Sequence, residues 1–176
     1  AHDVTGDRAF SGDAEQVATL GRAAADGLMS AGITPVIKHI PGHGRSMVDS
    51  HHDLPRVTTP HAELSRIDFV PFKRLNDLPW GMTAHIVYEA IDQELPATLS
   101  AKVIAEIIRG EIGFDGLLLS DDLSMKALRG TLADLARQYS EDIGSAMEGG
   151  ELGWTSPGQL VDAFQAIAKV QQGRVE

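Results

Sequence analysis

Cysteine is absent from all 176 residues, which removes disulfide scaffolds and thiolate zinc centres from consideration. Positive charge is scarce as well: 15 Lys and Arg against 25 Asp and Glu leave a formal net charge of −10. Nucleic-acid binding needs clustered cations to displace phosphate counterions, so no such partner is expected. No apolar run approaches the roughly 18 residues of a membrane span, and no membrane partner is expected. Residues Ala1–Asp7 show neither the basic start nor the apolar stretch of a secretory leader. With the missing cysteines, this reads as a cytoplasmic location. The chain has no initiator Met, so a longer parent is expected. What remains is a globular composition, 43% apolar with 18 glycines.

Helix-like and strand-like segments alternate through the first half. Val17, Leu20, Ala24 and Leu28 mark one face of a helix from Asp13 to Met29, with Gly32 as its stop. Pro35 to Ile40 suits a buried strand, and a loop rich in Gly, Pro, His and Asp follows to Thr59. Thr59-Pro60 opens a second helix running to Leu75, since Pro is well placed in a first turn. Trp80 to His85 reads as a strand, and Ser100 caps a helix through Ile108 that Gly113 ends. Gly116 to Ser120 is a third strand, leading into Asp121-Asp122. This order implies an α/β fold with parallel strands and crossover helices. Lys38-His39, His85 and Ser120-Asp121 all fall at strand C-termini, where a (β/α)₈ TIM-type barrel gathers its chemistry. Such a barrel needs eight strands and about 250 residues, so three strands amount to a partial barrel.

After Gly130 the pattern changes. Leu132 to Tyr139 reads as helix, Ser140 to Ser156 as a glycine-rich loop without a strand, and Gly158 to Val170 as helix. We therefore expect two domains, residues 1–131 and 132–176.

Chemistry concentrates in Lys38-His39-Ile40-Pro41-Gly42-His43-Gly44, in Asp49-Ser50-His51, and in Ser120-Asp121-Asp122-Leu123-Ser124-Met125. His and Asp are ligands for hydrolytic zinc, and six of them crowd one loop. Pro41 and Gly42 interrupt the His39 to His43 spacing, however, so the two cannot share a helix face as a zinc helix pair does. No metal and no cofactor are expected. Blander readings exist for several of these residues. Asp121 suits a helix cap, Arg8 a surface charge and His85 a packed core histidine. His43 and His52 read as loop-structuring or solvated residues.

These motifs, with Gly6-Asp7-Arg8-Ala9-Phe10 and Gly113-Phe114-Asp115-Gly116, resemble the C-terminal half of a family 3 glycoside hydrolase, the bacterial β-N-acetylglucosaminidase branch. The resemblance covers about residues 1–130 and implies strands 5–7, approximately, of the barrel. It also implies roles. Asp121 matches the nucleophile, and His51, oriented by Asp49, matches the acid/base. Lys38, His39 and Arg8 match the sugar-holding positions, and His85 is expected to line the pocket. An imidazole replaces the usual second carboxylate of a retaining glycosidase; its pKa near ~6.5 suits proton exchange around neutrality. The implied substrate is an amino sugar or a muropeptide of peptidoglycan recycling. Because a partial barrel exposes strand edges, weak or no activity is expected, the alternative being an inactive, self-associating scaffold.

From about Leu135 onward the chain resembles a parvulin-type prolyl isomerase, an α+β domain. The match lies in Tyr139-Ser140-Glu141-Asp142 and Gly149-Gly150-Glu151-Leu152-Gly153-Trp154. The resemblance places Asp142 in that active site and Leu152, Leu160 and Phe164 in its proline pocket. Apolar residues at helical spacing also simply pack. The isomerase's first and last strands have no counterpart, so the resemblance implies a chimera with a mostly helical and looped fragment at its end. A peptide-binding remnant of a prolyl isomerase is the further alternative.

Overall fold

The computed structural model describes residues 9–46, 54–123, 125, 128, 134, 137 and 147. The chain divides into two compact units, Ala1–Gly130 and Thr131–Glu176.

The first unit begins with helix α1 (Ala14–Ser30). Asp13 caps it, its Oδ1 accepting the Gln16 N–H at 2.8 Å, which satisfies one of the donors a helix start leaves orphaned. At the far end Gly32 adopts φ 76°, and Ile33 N–H reaches back to Leu28 C=O at 3.0 Å. That is a Schellman closure, which favours a residue without a Cβ at the left-handed position. The buried face is not the expected one. Ala18 and Ala25 are buried, whereas Leu20 and Leu28 are 43% and 41% exposed. Small residues let the helix dock closely: a Cβ on Gly21 would lie 3.1 Å from Leu75 Cδ1. Arg22, on the same side, binds Asp77 and the Arg74 carbonyl.

Strands β1 (Val36–Ile40), β3 (Trp80–Thr83) and β5 (Leu117–Leu119) form a parallel sheet in the order β1-β3-β5. Two further two-residue strands, β2 (Arg56–Val57) and β4 (Val87–Tyr88), pair in parallel beside it. They are too short for periodicity to register. The expected helix from Pro60 to Leu75 is instead two, α2 (His61–Arg66) and α3 (Val70–Arg74). Pro71 in the first turn of α3 has no N–H to give to α2, so the helix restarts there. Phe69, at the break, is fully buried.

Ser100 Oγ accepts the Val103 N–H at 3.0 Å, as expected of a cap. The helix that follows, α4 (Val103–Glu111), is wound as a π-helix and closes with Ile112 N–H on Ile107 C=O. Val103, Ile107 and Ile108 are buried along it. Gly113 then turns at φ 73°.

One sheet face packs into the core through Ile37, Ile40, Phe72, Ile108 and Phe114. Gly81 allows this approach, because a Cβ there would meet Ile40 Cδ1 at 2.6 Å and Phe114 Cζ at 2.9 Å. In register, Val36 neighbours Trp80 and Trp80 neighbours Leu117. Trp80 is 39% exposed and Leu117 53%. Parallel sheets normally bury both faces; here this row is left uncovered by the described residues.

In the second unit, Asp134 and Arg137 are helical, as expected, and form an ion pair at 3.1 Å. Met147 falls within the expected loop but is helical. Ala146, Met147 and Glu148 are good helix formers, which the glycine content of the segment obscures.

Candidate active site

The strand ends assemble the site. Between β1 and β3 the pairing passes from Lys38↔Met82 to Ile40↔Thr83, leaving His39 as an extra residue. Such a bulge re-aims a side chain. His39 Nε2 lies 3.2 Å from Asp121 Oδ2, each side chain partly accessible at 21% and 26%. The other carboxylate oxygen, Asp121 Oδ1, accepts the Asp122 N–H at 2.9 Å. The His39 and His43 rings sit 5.3 Å apart. Lys38 is exposed midway along β1.

His85 is placed differently from the pocket-lining expectation. It is 2% exposed, with Nδ1 2.7 Å from Thr98 Oγ1 and Nε2 3.0 Å from the Asp122 carbonyl oxygen. Both ring nitrogens are engaged within the protein, so neither is presented to a sugar. The packed-histidine alternative describes this geometry.

The loop after β1 is tied down at its base. Tyr88 Oη donates to the Gly42 carbonyl. Burial, and then the nearby Asp68 charge, push the Tyr88 phenol far above its ordinary pKa and keep it a donor. Arg45 bridges Asp68 and Glu63, each at 2.8 Å. Asp49 and His51, the expected acid/base pair, lie outside the described residues, as do Arg8, Asp142, Leu152, Leu160 and Phe164. Among the described residues, no group of three or more His, Cys, Asp and Glu is arranged to hold a metal.

The structure thus brings His39 and Asp121 together, places Lys38 beside them in sequence, and withdraws His85 into the interior. It adds Thr98, Tyr88, Arg45 and Asp68 as supports. Nothing in their sequence spacing marks them, because each acts across elements.

A family model described as the glycosyl hydrolase family 3 N terminal domain matches residues 1–151. The chain belongs to glycosyl hydrolase family 3. Within that family, it is 48% identical over 126 residues to a β-hexosaminidase of Alkalilimnicola ehrlichii, covering 70% of this chain and 36% of that protein. A β-hexosaminidase of Tolumonas auensis is 39% identical over 153 residues, covering 84% and 43% respectively. A family 3 β-N-acetylglucosaminidase structure from Paenibacillus sp. superposes with a TM-score of 0.72 at 32% identity, covering 99% of this chain and 34% of that one. The chain therefore spans about a third of the length of the first of these relatives. The family match runs on through residue 151, beyond the boundary expected near 131. None of these findings supports the isomerase resemblance or a chimeric origin.

Proposed function

We propose that this chain carries the reacting groups of a retaining β-N-acetylglucosaminidase on the later strands of a (β/α)₈ barrel. The observation that carries the reading is the Asp121 carboxylate, emerging from β5 and faced at 3.2 Å by His39 from β1. Asp121 attacks the anomeric carbon, the glycosidic bond breaks, and a glycosyl-enzyme ester forms. His51, oriented by Asp49, protonates the departing oxygen. It then takes a proton from the water that releases the sugar. Lys38, His39 and Arg8 donate to sugar hydroxyls, the charged donors being the stronger ones. The β-hexosaminidase names of the relatives support an amino-sugar substrate, and terminal N-acetylglucosamine of muropeptides is the class we favour.

The uncovered Trp80 and Leu117 row, together with the short span relative to family members, supports weak activity in the isolated chain. The test is hydrolysis of 4-nitrophenyl β-N-acetylglucosaminide by this chain and by its Asp121→Ala variant. Slow turnover lost in the variant is expected; turnover that survives Asp121→Ala unchanged would sink the assignment. The same exposed row supports a second reading, self-association, for which sedimentation should show concentration-dependent mass. A monomer at all concentrations would remove that reading.

A further inference from the structure

Behind Asp121 runs a connected line of polar groups that the hydrolytic chemistry does not itself use. Thr83 Oγ1 lies 2.9 Å from Thr98 Oγ1, Thr98 Oγ1 2.7 Å from His85 Nδ1, and His85 Nε2 3.0 Å from the Asp122 carbonyl. Thr83 and His85 are buried. Thr83 also approaches the Leu119 carbonyl at 3.4 Å. The line therefore touches the backbone on both sides of Ser120-Asp121.

We propose that His85 is a positioning residue for the Asp121 carboxylate, acting through the backbone of Asp122. The proposal rests on the reading of Asp121 as the nucleophile. A carbonyl can only accept, so Nε2 carries the proton and donates to Asp122 C=O. In the neutral ring Nδ1 is then an acceptor and the Thr98 hydroxyl donates to it, while the single Thr83 hydroxyl proton serves either Thr98 Oγ1 or the Leu119 carbonyl. Ala84 C=O, 3.1 Å from Thr98 Oγ1, is the competing acceptor for the Thr98 proton. The line is thus directional, ending on the Asp122 carbonyl.

Asp122 is where that restraint becomes chemical. Its N–H donates to Asp121 Oδ1 at 2.9 Å, while its carbonyl is held by His85. Fixing the carbonyl limits rotation about the residue and keeps the N–H aimed at the carboxylate. A carboxylate so held presents its remaining lone pairs in one direction. The segment after β3 and the residues around Thr98 therefore set the attitude of a group borne on β5. A hydrogen-bonded line whose histidine is buried tolerates little substitution there, because a buried member left unpaired is costly.

The test separates positioning from mere packing. Glutamine at position 85 reaches as far as Nε2 and restores a donor to Asp122 C=O, whereas asparagine reaches only Nδ1. Two readouts apply to the full chain: hydrogen exchange of the Asp122 amide by NMR, and turnover of the nitrophenyl substrate. For His85→Asn we expect Asp122 exchange at least ~10-fold faster. We expect its kcat to fall about 10- to 100-fold with KM within about 3-fold, as misplacement of a reacting group predicts. His85→Gln should stay within about 3-fold of the parent in both readouts. Thr98→Val, which keeps the shape but removes the hydroxyl, should show the asparagine behaviour in milder form. Parent-like Asp122 exchange in His85→Asn would overturn the proposal, as would equal failure of the Gln and Asn variants. If turnover proves indifferent to Asp121→Ala, the nucleophile reading fails alone. Amide exchange still decides whether His85 holds Asp122.

Discussion

His39 from the end of β1 and Asp121 from the end of β5 meet at 3.2 Å, although a whole strand, β3, lies between their own strands. The bulge after Lys38 and the carboxylate's place just beyond Leu119 bring this about. A hydrogen bond to a charged group is worth about 1.5–3 kcal/mol. His39→Ala should therefore lower kcat/KM about 10- to 100-fold toward the nitrophenyl glycoside. Far-UV circular dichroism should stay unchanged, because the ring projects from a bulge and adds nothing to the strand's backbone hydrogen bonds. A variant with parent kcat/KM would show that the contact has no part in catalysis.

Glu111 closes α4 in a polar cluster away from that site. Lys73 Nζ and His61 Nε2 approach its carboxylate at 2.7 and 2.6 Å, and Ser65 also donates to it. Desolvation would raise its pKa, but the bonds from Lys73, Ser65 and His61 outweigh that and bring it from 4.5 to about 2. A carboxyl depressed on folding contributes stability that is fully present above its unfolded pKa and is lost as pH falls through the folded value. Denaturant titrations should thus show Glu111→Gln to be less stable at pH 7 by about 1–3 kcal/mol. The gap to the parent should narrow as pH falls from 4.5 toward about 2. A gap independent of pH would rule out the ionic origin.

Tyr88 secures the chain at Gly42, which precedes Asp49 and His51 in sequence. Tyr88→Phe keeps the ring but leaves the Gly42 carbonyl without its hydroxyl donor. An unsatisfied buried acceptor costs about 1–3 kcal/mol, so calorimetry should record a lower Tm. Turnover should fall as well, since the chain leading to Asp49 and His51 loses its anchor at Gly42. An unchanged Tm would mean that water or another donor replaces the phenol.

Gly81 marks a tight point of the sheet. A methyl there would press on Ile40 and the buried Phe114 ring. Overpacking of this kind costs about 1–3 kcal/mol, and chemical denaturation of Gly81→Ala should show it. Parent stability would mean that Ile40 and Phe114 shift freely, contrary to the packing described.

Much of the fold is local enough to be read from the chain. The three sheet strands, the Ser100 cap and the Gly32 and Gly113 stops follow from short-range rules about Cβ, N–H and apolar runs. The motif around Lys38-His39 and Ser120-Asp121 likewise points to family 3, since residue type and order carry that signal. The face of α1 did not follow. Periodicity favours the larger apolar side chains, but docking onto α3 selected the smaller Ala18, Gly21 and Ala25.

His85 shows the same division at the site. Its place at a strand end was legible, and both a pocket role and a core role fitted that place. Which one holds depends on Thr98 and the Asp122 carbonyl, which reach it from separate segments. Hydrogen bonds between distant segments have no one-dimensional signature. Sequence alone determined which groups this chain possesses and roughly where its strands end. Tertiary structure decided which of them face Asp121 and which are spent holding it, because that is a matter of direction and distance between elements.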